Sequence, residues 1–177
     1  MSGPDGAVSP DLLSRALAGE SAAFRALVVV HRAMVYSLAL RTISDRHRAE
    51  DLSQEVFLQL HRSLASIQSP EHLEFWLRRV TMNKAIDALR REPSVPMASL
   101  EDAWAVSAES PHEDPLLARH LRALVHRLPP AARAVVVLRY QEDLDPVDIG
   151  RVLKMPVNTV KSHLKRSLAM LRKGAFS

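Results

Sequence analysis

The sequence contains no cysteine and only five glycines among its 177 residues. The absence of cysteine excludes disulfide bonds and thiolate-bound zinc, and it is compatible with the reducing cytoplasm. Eleven prolines against five glycines favour helices separated by breaks over a turn-rich β protein or a glycine-rich phosphate loop. No run approaches the roughly 18 apolar residues of a membrane span, and the first residues lack the features of a signal peptide. We therefore expect a cytoplasmic protein without membrane insertion.

Positive charge is missing from one stretch of the chain. Between Glu92 and Ala118 there is no Lys or Arg, while six acidic residues give this stretch a charge of −6. Residues 1–91 carry +2, and residues 119–177, with 12 Lys and Arg, carry +8. Such blocks indicate segments with different partners. The basic final block suits nucleic-acid binding, because each cation set against a phosphate releases condensed counterions.

Helical periodicity predicts an all-α protein. The clearest case is residues 48–64, where Leu52, Val56, Leu60 and Leu64 recur four residues apart and form one apolar stripe. One run is ambiguous, residues 134–138, because its β-branched valines also favour a strand. Its helical neighbours favour a helix there as well.

Prolines and serines concentrate in residues 92–115, which we interpret as an acidic, flexible linker. The alternative is a surface loop within a single domain, but loops of this length are uncommon in compact domains. The sequence therefore predicts two small helical domains, at residues 9–91 and 116–177.

Residues 146–172 are typical of a helix-turn-helix. Pro156 cannot lie inside a continuous helix, so the turn is expected at residues 154–157, with Asn158 or Thr159 capping the second helix. In that helix an apolar stripe faces inward, and the opposite face fits a DNA major groove. The residues expected to contact DNA are Asn158, Thr159, Lys161, Ser162, His163, Lys165 and Arg166. For the last cations, Arg172 and Lys173, the helix dipole alone is an equally good explanation.

The stretch LPPAARAVVVLRYQEDLDPVDIGRVLKMPVNTVKSHLKRSLAMLRK resembles the −35-reading domain of bacterial sigma factors of the extracytoplasmic-function type, within the sigma-70 family. Three earlier stretches, LLSRALAGESAAFRALVVVHRAMVYSLALR, AEDLSQEVFLQLHRSL and FWLRRVTMNKAIDALRRE, resemble the other domain of that family in order. The resemblance implies a sigma factor that binds core RNA polymerase and directs promoter-specific initiation. It implies no enzymatic activity, metal or cofactor.

By the same resemblance, the helix around residues 74–91 reads the −10 element. Its candidate residues are Arg78, Arg79, Asn83, Lys84, Asp87, Arg90 and Arg91. The loop at residues 66–71, together with Asn83, is a candidate pocket for a flipped base. Asp87 is equally well explained by ion pairs within the helix, with Lys84 or Arg91. Phe75 and Trp76 fit a core role better than DNA melting.

The resemblance also implies protein partners. Placing the apolar stripe of residues 48–64 inward leaves an exposed leucine with a polar rim, a pattern typical of protein interfaces. These residues, expected to grip the clamp helices of the polymerase largest subunit, are Asp51, Gln54, Glu55, Leu58 and Arg62. Further implied partners are the flap of the second-largest subunit, promoter DNA and an anti-sigma factor. The acidic linker either enters a basic polymerase channel or is a soluble spacer.

Four positions depart from the family pattern. Lys154 stands where glycine commonly makes the turn, and Gly150 replaces a usual alanine, which weakens the first helix by up to ~1 kcal/mol. Asp148 replaces a glutamate, and His163 replaces an arginine expected to contact phosphate.

Two other functions compete with a sigma factor. A stand-alone helix-turn-helix regulator, or a sigma-mimicking adaptor that binds a sigma antagonist, would keep the fold without a polymerase-docking face. An enzyme is disfavoured, because the histidines and carboxylates of residues 47–61 lack the spacing of a zinc hydrolase and no nucleophile elbow is present.

Overall fold

The computed structural model describes residues 10–91 and 115–175, and within these ranges it contains α-helices, one 3₁₀ turn and no strand. The all-α prediction is therefore confirmed. The predicted linker lies outside the described residues except for Pro115, which begins a helix. The N-terminal helices are α1 (Pro10–Leu17), α2 (Ser21–Ile43), α3 (Arg46–Ser63), followed by the 3₁₀ turn Leu64–Ser66, and α4 (Pro70–Arg91). The C-terminal helices are α5 (Pro115–His126), α6 (Pro130–Tyr140), α7 (Pro146–Leu153) and α8 (Val157–Ala175).

Helix α2 is the central helix of the N-terminal half. It packs against α1, α3, α4 and α6, so it is apolar on more than one side. Among the described helices it alone is long and apolar enough to meet the composition test for a membrane span, a test that core helices also meet. Its sequence includes Arg25, Arg32 and Arg41, and the buried His31 lies near its middle. We interpret α2 as a core helix.

A short connection sets α3 beside α2. Ser44 adopts the left-handed conformation (φ 61°) and its N–H donates to the carbonyl of Leu40 over 2.7 Å, which ends α2. Asp45 then accepts a hydrogen bond from the N–H of Arg48 over 3.0 Å and caps α3. The predicted apolar stripe of α3 is confirmed at Leu52, Val56 and Leu60, which are buried, and at the partly buried Leu64, which packs on the same core.

Prolines begin three of the four C-terminal helices. Pro115, Pro130 and Pro146 each occupy a first helical position, where the missing N–H costs no hydrogen bond. Asp145 caps α7, because its carboxylate accepts from two backbone N–H groups, of Val147 over 2.7 Å and of Asp148 over 2.8 Å.

The two halves share a hydrophobic core, which the sequence analysis did not predict. Helix α6 packs on α2 and α4, and α7 packs on α4. Every residue from 132 to 138 is buried, so the ambiguous apolar run is a helix covered on all sides. The shared core contains Leu38, Met82 and Ile86 from the N-terminal half and Ala134, Val135, Val137, Leu138, Ile149, Val152 and Val160 from the C-terminal half.

Candidate nucleic-acid interfaces

The helix-turn-helix is present and depends on two residues that depart from the family pattern. Lys154 ends α7 in the left-handed conformation, with φ 52°, at the position where glycine was expected. The N–H of Met155 donates to the carbonyl of Gly150 over 2.8 Å. A Cβ added to Gly150 would lie 2.8 Å from the carbonyl oxygen of Met155, closer than real Cβ contacts. The absence of a side chain at Gly150 therefore allows the backbone of Met155 to pack against α7.

Helix α8 begins one residue earlier than the predicted cap. Its first residue is Val157, and the carbonyl of Pro156 accepts from the N–H groups of Thr159 and Val160 over 2.9 and 3.1 Å. The prediction that Asn158 or Thr159 caps the helix is therefore wrong. Both residues lie within the first turn and are exposed, which leaves their side chains available to a ligand.

The outward face of α8 is polar, basic and exposed. Val160 and Ser167 are buried on the opposite side, and Leu164, Leu168 and Leu171 are partly buried there. His163 is half-buried, so it is the least accessible of the predicted contacts. Within residues 10–91 and 115–175, Lys161, Lys165 and Arg166 form no ion pair. The exposed residues of this face are Asn158, Thr159, Lys161, Ser162, Lys165 and Arg166.

Unlike the cations of α8, two of the predicted −10 cations on α4 already form ion pairs with carboxylates of other segments. Arg78 donates to Glu142 over 2.7 Å and to Glu74 over 3.0 Å, and the Glu142 side chain is only 9% exposed. The ammonium group of Lys84 pairs with Glu55 of α3 over 3.0 Å.

The remaining predicted −10 residues of α4 form either a longer ion pair within the helix or none. Asp87 lies 3.9 Å from Arg90, so its intrahelical partner is neither Lys84 nor Arg91. Arg79 and Asn83 are half-buried and Arg91 is exposed at the end of α4. Of the seven predicted −10 residues, only these three lack an ion pair in the described part of the chain.

The proposed flipped-base pocket combines the loop before α4 with Asn83 of α4. The loop before α4 is held by the buried Ile67 and by Ser69, whose hydroxyl accepts from the N–H of His72 over 3.1 Å. Glu71 and Asn83 are both on α4, twelve residues apart, and the helical rise separates them by about 18 Å. A single base therefore cannot contact both Glu71 and Asn83, and a pocket formed by Asn83 with the rest of the loop stays a prediction.

The two aromatic residues of α4 pack into cores. Trp76 contacts the core of the N-terminal half, and Phe75 contacts the core that the two halves share. Their core interpretation is therefore supported, and neither ring is positioned as an exposed wedge.

The predicted polymerase face of α3 is exposed throughout. The Leu58 side chain is 59% exposed and has polar residues around it. A groove of about 390 Å³ separates α3 from α4 and is lined by charged residues of both predicted faces, including Asp51, Glu55, Lys84, Asp87 and Arg91. The Lys84–Glu55 pair thus joins the predicted −10 and polymerase surfaces. The predicted residues of this face, all of them exposed, are Asp51, Gln54, Glu55, Leu58 and Arg62.

The sequence analysis missed the polar residues that join the two halves. The Arg133 side chain is buried and donates to the carbonyl of Thr42 over 2.7 Å, as well as to the carbonyls of Leu128 and His126. Gln141 donates to the Ser37 hydroxyl over 2.7 Å. A signal was present in residues 132–138, because a helix that is apolar all round has to be covered on every side.

His126 is the titratable group of this junction. Its imidazole shares a hydrogen bond with the hydroxyl of Ser44 from the N-terminal half. Burial, and secondarily the neighbouring Arg133 guanidinium, lower the pKa of His126 from 6.5 to about 4. The imidazole is therefore neutral at physiological pH.

Two families match the chain in order. Sigma-70 region 2 matches residues 27–94, and Sigma-70, region 4 matches residues 118–171. The matches cover the N-terminal helices from within α2 onward and most of the C-terminal helices.

Curated relatives are similar over most of the chain. The ECF RNA polymerase sigma factor SigE of Mycolicibacterium smegmatis is 40% identical over 152 residues, which cover 82% of this chain and 59% of that protein. SigM of Mycobacterium tuberculosis is 33% identical over 161 residues, which cover 91% of this chain and 81% of that protein.

One solved structure has the same fold over nearly the whole chain. This structure, CnrH in complex with the cytosolic domain of CnrY, superposes with a TM-score of 0.66 at 23% identity and covers 96% of both chains.

Proposed function

Since the chain belongs to the extracytoplasmic-function sigma factors of the sigma-70 family, it directs transcription initiation by RNA polymerase at selected promoters, and we propose how its surfaces divide that activity. A stand-alone regulator or adaptor is not favoured, because the matches to region 2 and region 4 occur together and in order. Sigma factors act on RNA polymerase in the cytoplasm.

The C-terminal helix α8 reads the −35 element in this proposal. The observation that supports it most directly is the exposed face of α8, which presents Lys161, Lys165 and Arg166 without carboxylate partners among the described residues. The early residues Asn158, Thr159 and Ser162 face the base edges, and the later cations face phosphates. His163, being half-buried, contributes least.

The N-terminal helix α4 reads the −10 element. Asn83 and Asp87 supply groups that can hydrogen-bond base edges, and Arg79 and Arg91 supply charge for phosphates. Arg78, Lys84 and Arg90 contribute only after they exchange carboxylate partners for DNA. The −10 strand is therefore bound along α4.

The exposed face of α3 docks on the clamp helices of the polymerase largest subunit. Leu58 is the apolar centre, and Asp51, Gln54, Glu55 and Arg62 form the polar rim. The C-terminal domain contacts the flap of the second-largest subunit. An anti-sigma factor is the remaining proposed partner; the structurally similar CnrH was solved with a bound CnrY domain.

The decisive experiment is run-off transcription with purified core polymerase and a genomic fragment library. We expect specific transcripts only when the chain is present. Lys165→Ala should reduce initiation at promoters that depend on the −35 element by about tenfold, with unchanged polymerase binding. Arg25→Ala, which removes another exposed positive charge, on α2, is the matched control.

Leu58→Asp tests the docking face in the same assay. It should weaken binding to core polymerase, because it places a charge at the centre of the apolar contact. Val29→Asp is the control, since Val29 is 58% exposed and Leu58 is 59% exposed. Equal loss of polymerase binding in both variants would remove Leu58 from the docking face, and a chain that never alters the start sites would refute the sigma function.

A further inference from the structure

The turn between α7 and α8 contains a lysine with an uncommon backbone conformation. Lys154 has a φ of 52°, in the left-handed region that glycine and asparagine adopt at helix ends at the least cost. A longer side chain at such a position destabilises the fold, and residues that are kept there despite this cost often belong to functional sites. The backbone of the turn therefore does not explain why residue 154 is a lysine.

Two other non-glycine residues of the described chain have a positive φ, and both use their side chains within the protein. The hydroxyl of Ser44 shares a hydrogen bond with the imidazole of His126, and the carboxylate of Asp143 lies 3.4 Å from the guanidinium of Arg139. Lys154 is exposed, and its side chain forms no hydrogen bond or ion pair with the described residues. Its ammonium group therefore has no partner in the described fold, which indicates a ligand outside the chain.

Lys154 also continues the exposed side of α7. Val147, Arg151 and Lys154 follow one another at intervals of four and three residues and are exposed, whereas Ile149 and Val152 are buried on the opposite side. The exposed side of α7 thus ends in a cation beside the turn that leads into α8.

The two cations on this side of α7 differ in their pairing. The guanidinium of Arg151 lies 3.0 Å from the carboxylate of Asp148, which partly neutralises its charge. The ammonium of Lys154 has no carboxylate partner among the described residues. In this respect Lys154 resembles the exposed cations of α8 and differs from its neighbour on α7.

The turn holds Lys154 close to the residues that are proposed to read the −35 element. Three Cα–Cα steps of about 3.8 Å lead from Lys154 to Val157, the first residue of α8, so their Cα atoms are at most about 11 Å apart. The N–H of Met155 donates to the carbonyl of Gly150 over 2.8 Å, which fixes the backbone directly after Lys154. When the second helix of a helix-turn-helix enters the major groove, the first helix crosses the sugar–phosphate backbone.

We propose that Lys154 binds a phosphate of the −35 duplex at the edge of the groove that α8 enters. This contact adds affinity without reading sequence and positions α8 on the duplex, so that Asn158, Thr159 and Ser162 meet the base edges. The lysine thus lowers the stability of the turn and increases the affinity for DNA. The inference rests on the proposed −35 role of α8.

Three substitutions separate the charge of Lys154 from its backbone conformation. Lys154→Gly and Lys154→Asn remove the charge and suit a left-handed backbone, whereas Lys154→Arg keeps the charge. Each full-length variant is bound to core polymerase, and fluorescence anisotropy at several salt concentrations measures its affinity for a duplex taken from a promoter that the native chain transcribes. Arg25→Ala, which removes an exposed positive charge from α2, controls for net charge.

The two neutral variants should bind the duplex about fivefold more weakly at about 0.1 M salt, and the slope of log K against log salt concentration should decrease in magnitude by about one. Lys154→Arg and Arg25→Ala should keep the native affinity and slope. The loss should be the same for −35 duplexes of different sequence, because a phosphate contact does not read bases. Thermal unfolding should show that Lys154→Gly is at least as stable as the native chain, so that weaker binding does not reflect a damaged fold.

A scan with methylphosphonates, which are uncharged, identifies the phosphate that Lys154 contacts. At that phosphate the substitution should weaken binding of the native chain about fivefold and leave the binding of Lys154→Gly unchanged, because the variant has already lost the contact. Equal losses for the two chains at every phosphate would contradict the proposal.

The results distinguish this inference from the −35 role on which it rests. If Lys165→Ala weakens binding while Lys154→Gly keeps the native affinity and slope, α8 reads the element and the Lys154 contact is refuted. If neither substitution weakens binding, the −35 role of α8 is wrong as well. Equal losses for Lys154→Gly and Arg25→Ala would also refute the contact, because they would reflect net charge alone.

Discussion

Two basic surfaces in this protein are expected to meet the same polyanion, yet they are in different states. On α8 the cations Lys161, Lys165 and Arg166 are exposed and form no ion pair within the described residues. On α4, Arg78 is held by Glu142 of the α6–α7 connection, and Lys84 is held by Glu55 of α3. A phosphate that approaches α8 gains a new contact, whereas one that approaches α4 has to displace an existing partner. The number of cations on a surface therefore does not by itself predict its affinity for phosphate, because cations that are already paired must first lose their carboxylate partners.

The largest expected effect comes from removing the side chain that fastens α6 to α2. Arg133→Ala leaves the carbonyls of Thr42, Leu128 and His126 without this donor, and we expect the free energy of unfolding to fall by about 3 kcal/mol. Urea unfolding followed by circular dichroism measures it. Arg139→Ala is the control: its guanidinium donates to one partly buried carbonyl, of Leu144, and its carboxylate partner Asp143 is 96% exposed, so the substitution should cost only about 1 kcal/mol. Similar losses in both variants would mean that Arg133 does not fasten the halves.

Acidification should weaken the same junction. His126 has a pKa of about 4 in the folded chain and 6.5 when released, so the unfolded chain binds more protons between these values. The free energy of unfolding should therefore fall as pH decreases from 6.5 towards 4, with about 1 to 2 kcal/mol due to His126 at pH 5. The difference in pH dependence between the native chain and His126→Gln isolates this contribution. Parallel profiles would contradict it.

Salt-dependent DNA binding compares the two surfaces directly. Arg166→Ala should reduce the slope of log K against log salt concentration by about one for a duplex that contains the −35 element. Lys84→Ala, on the paired surface, should change the slope less for single-stranded −10 DNA, because Glu55 already neutralises its charge. Fluorescence anisotropy with the free chain gives both slopes. Equal changes in the two slopes would show that the Lys84–Glu55 pair does not limit the contact of Lys84 with DNA.

The smallest changes in the free energy of unfolding should come from two substitutions in the turn between α7 and α8, and these changes should have opposite signs. Gly150→Ala places a methyl group against the carbonyl of Met155 and should lower the free energy of unfolding by about 1 kcal/mol, after the gain in helix propensity. Lys154→Gly removes the strain of a side chain on the left-handed backbone and should raise the free energy of unfolding by about 0.5 kcal/mol. Because neither residue is among the predicted −10 contacts, both variants should leave −10 binding unchanged. A stabilising Gly150→Ala would show that the turn can relax.

Much of the candidate site was predictable because it depends on local patterns. The exposed faces of α3 and α8 follow from helical periodicity, and the breaks follow from proline. The predicted cap of α8 lies two or three residues too late in the chain, since the carbonyl of Pro156 closes the first turn. Only the structure shows that Glu71 and Asn83, grouped together in the flipped-base hypothesis, are about 18 Å apart along α4.

By itself, the sequence determined the helical class, the helix-turn-helix, the outward basic face and the family, because each depends on residue spacing within a few turns. Only the tertiary structure decided that α6 is shared by both halves and that Arg78 is paired with Glu142. Those contacts join residues 64 to 104 positions apart. Periodicity shows that an apolar face has to be covered, but the helix that covers it is selected by shape and by buried hydrogen bonds, which exist only once the chain has folded.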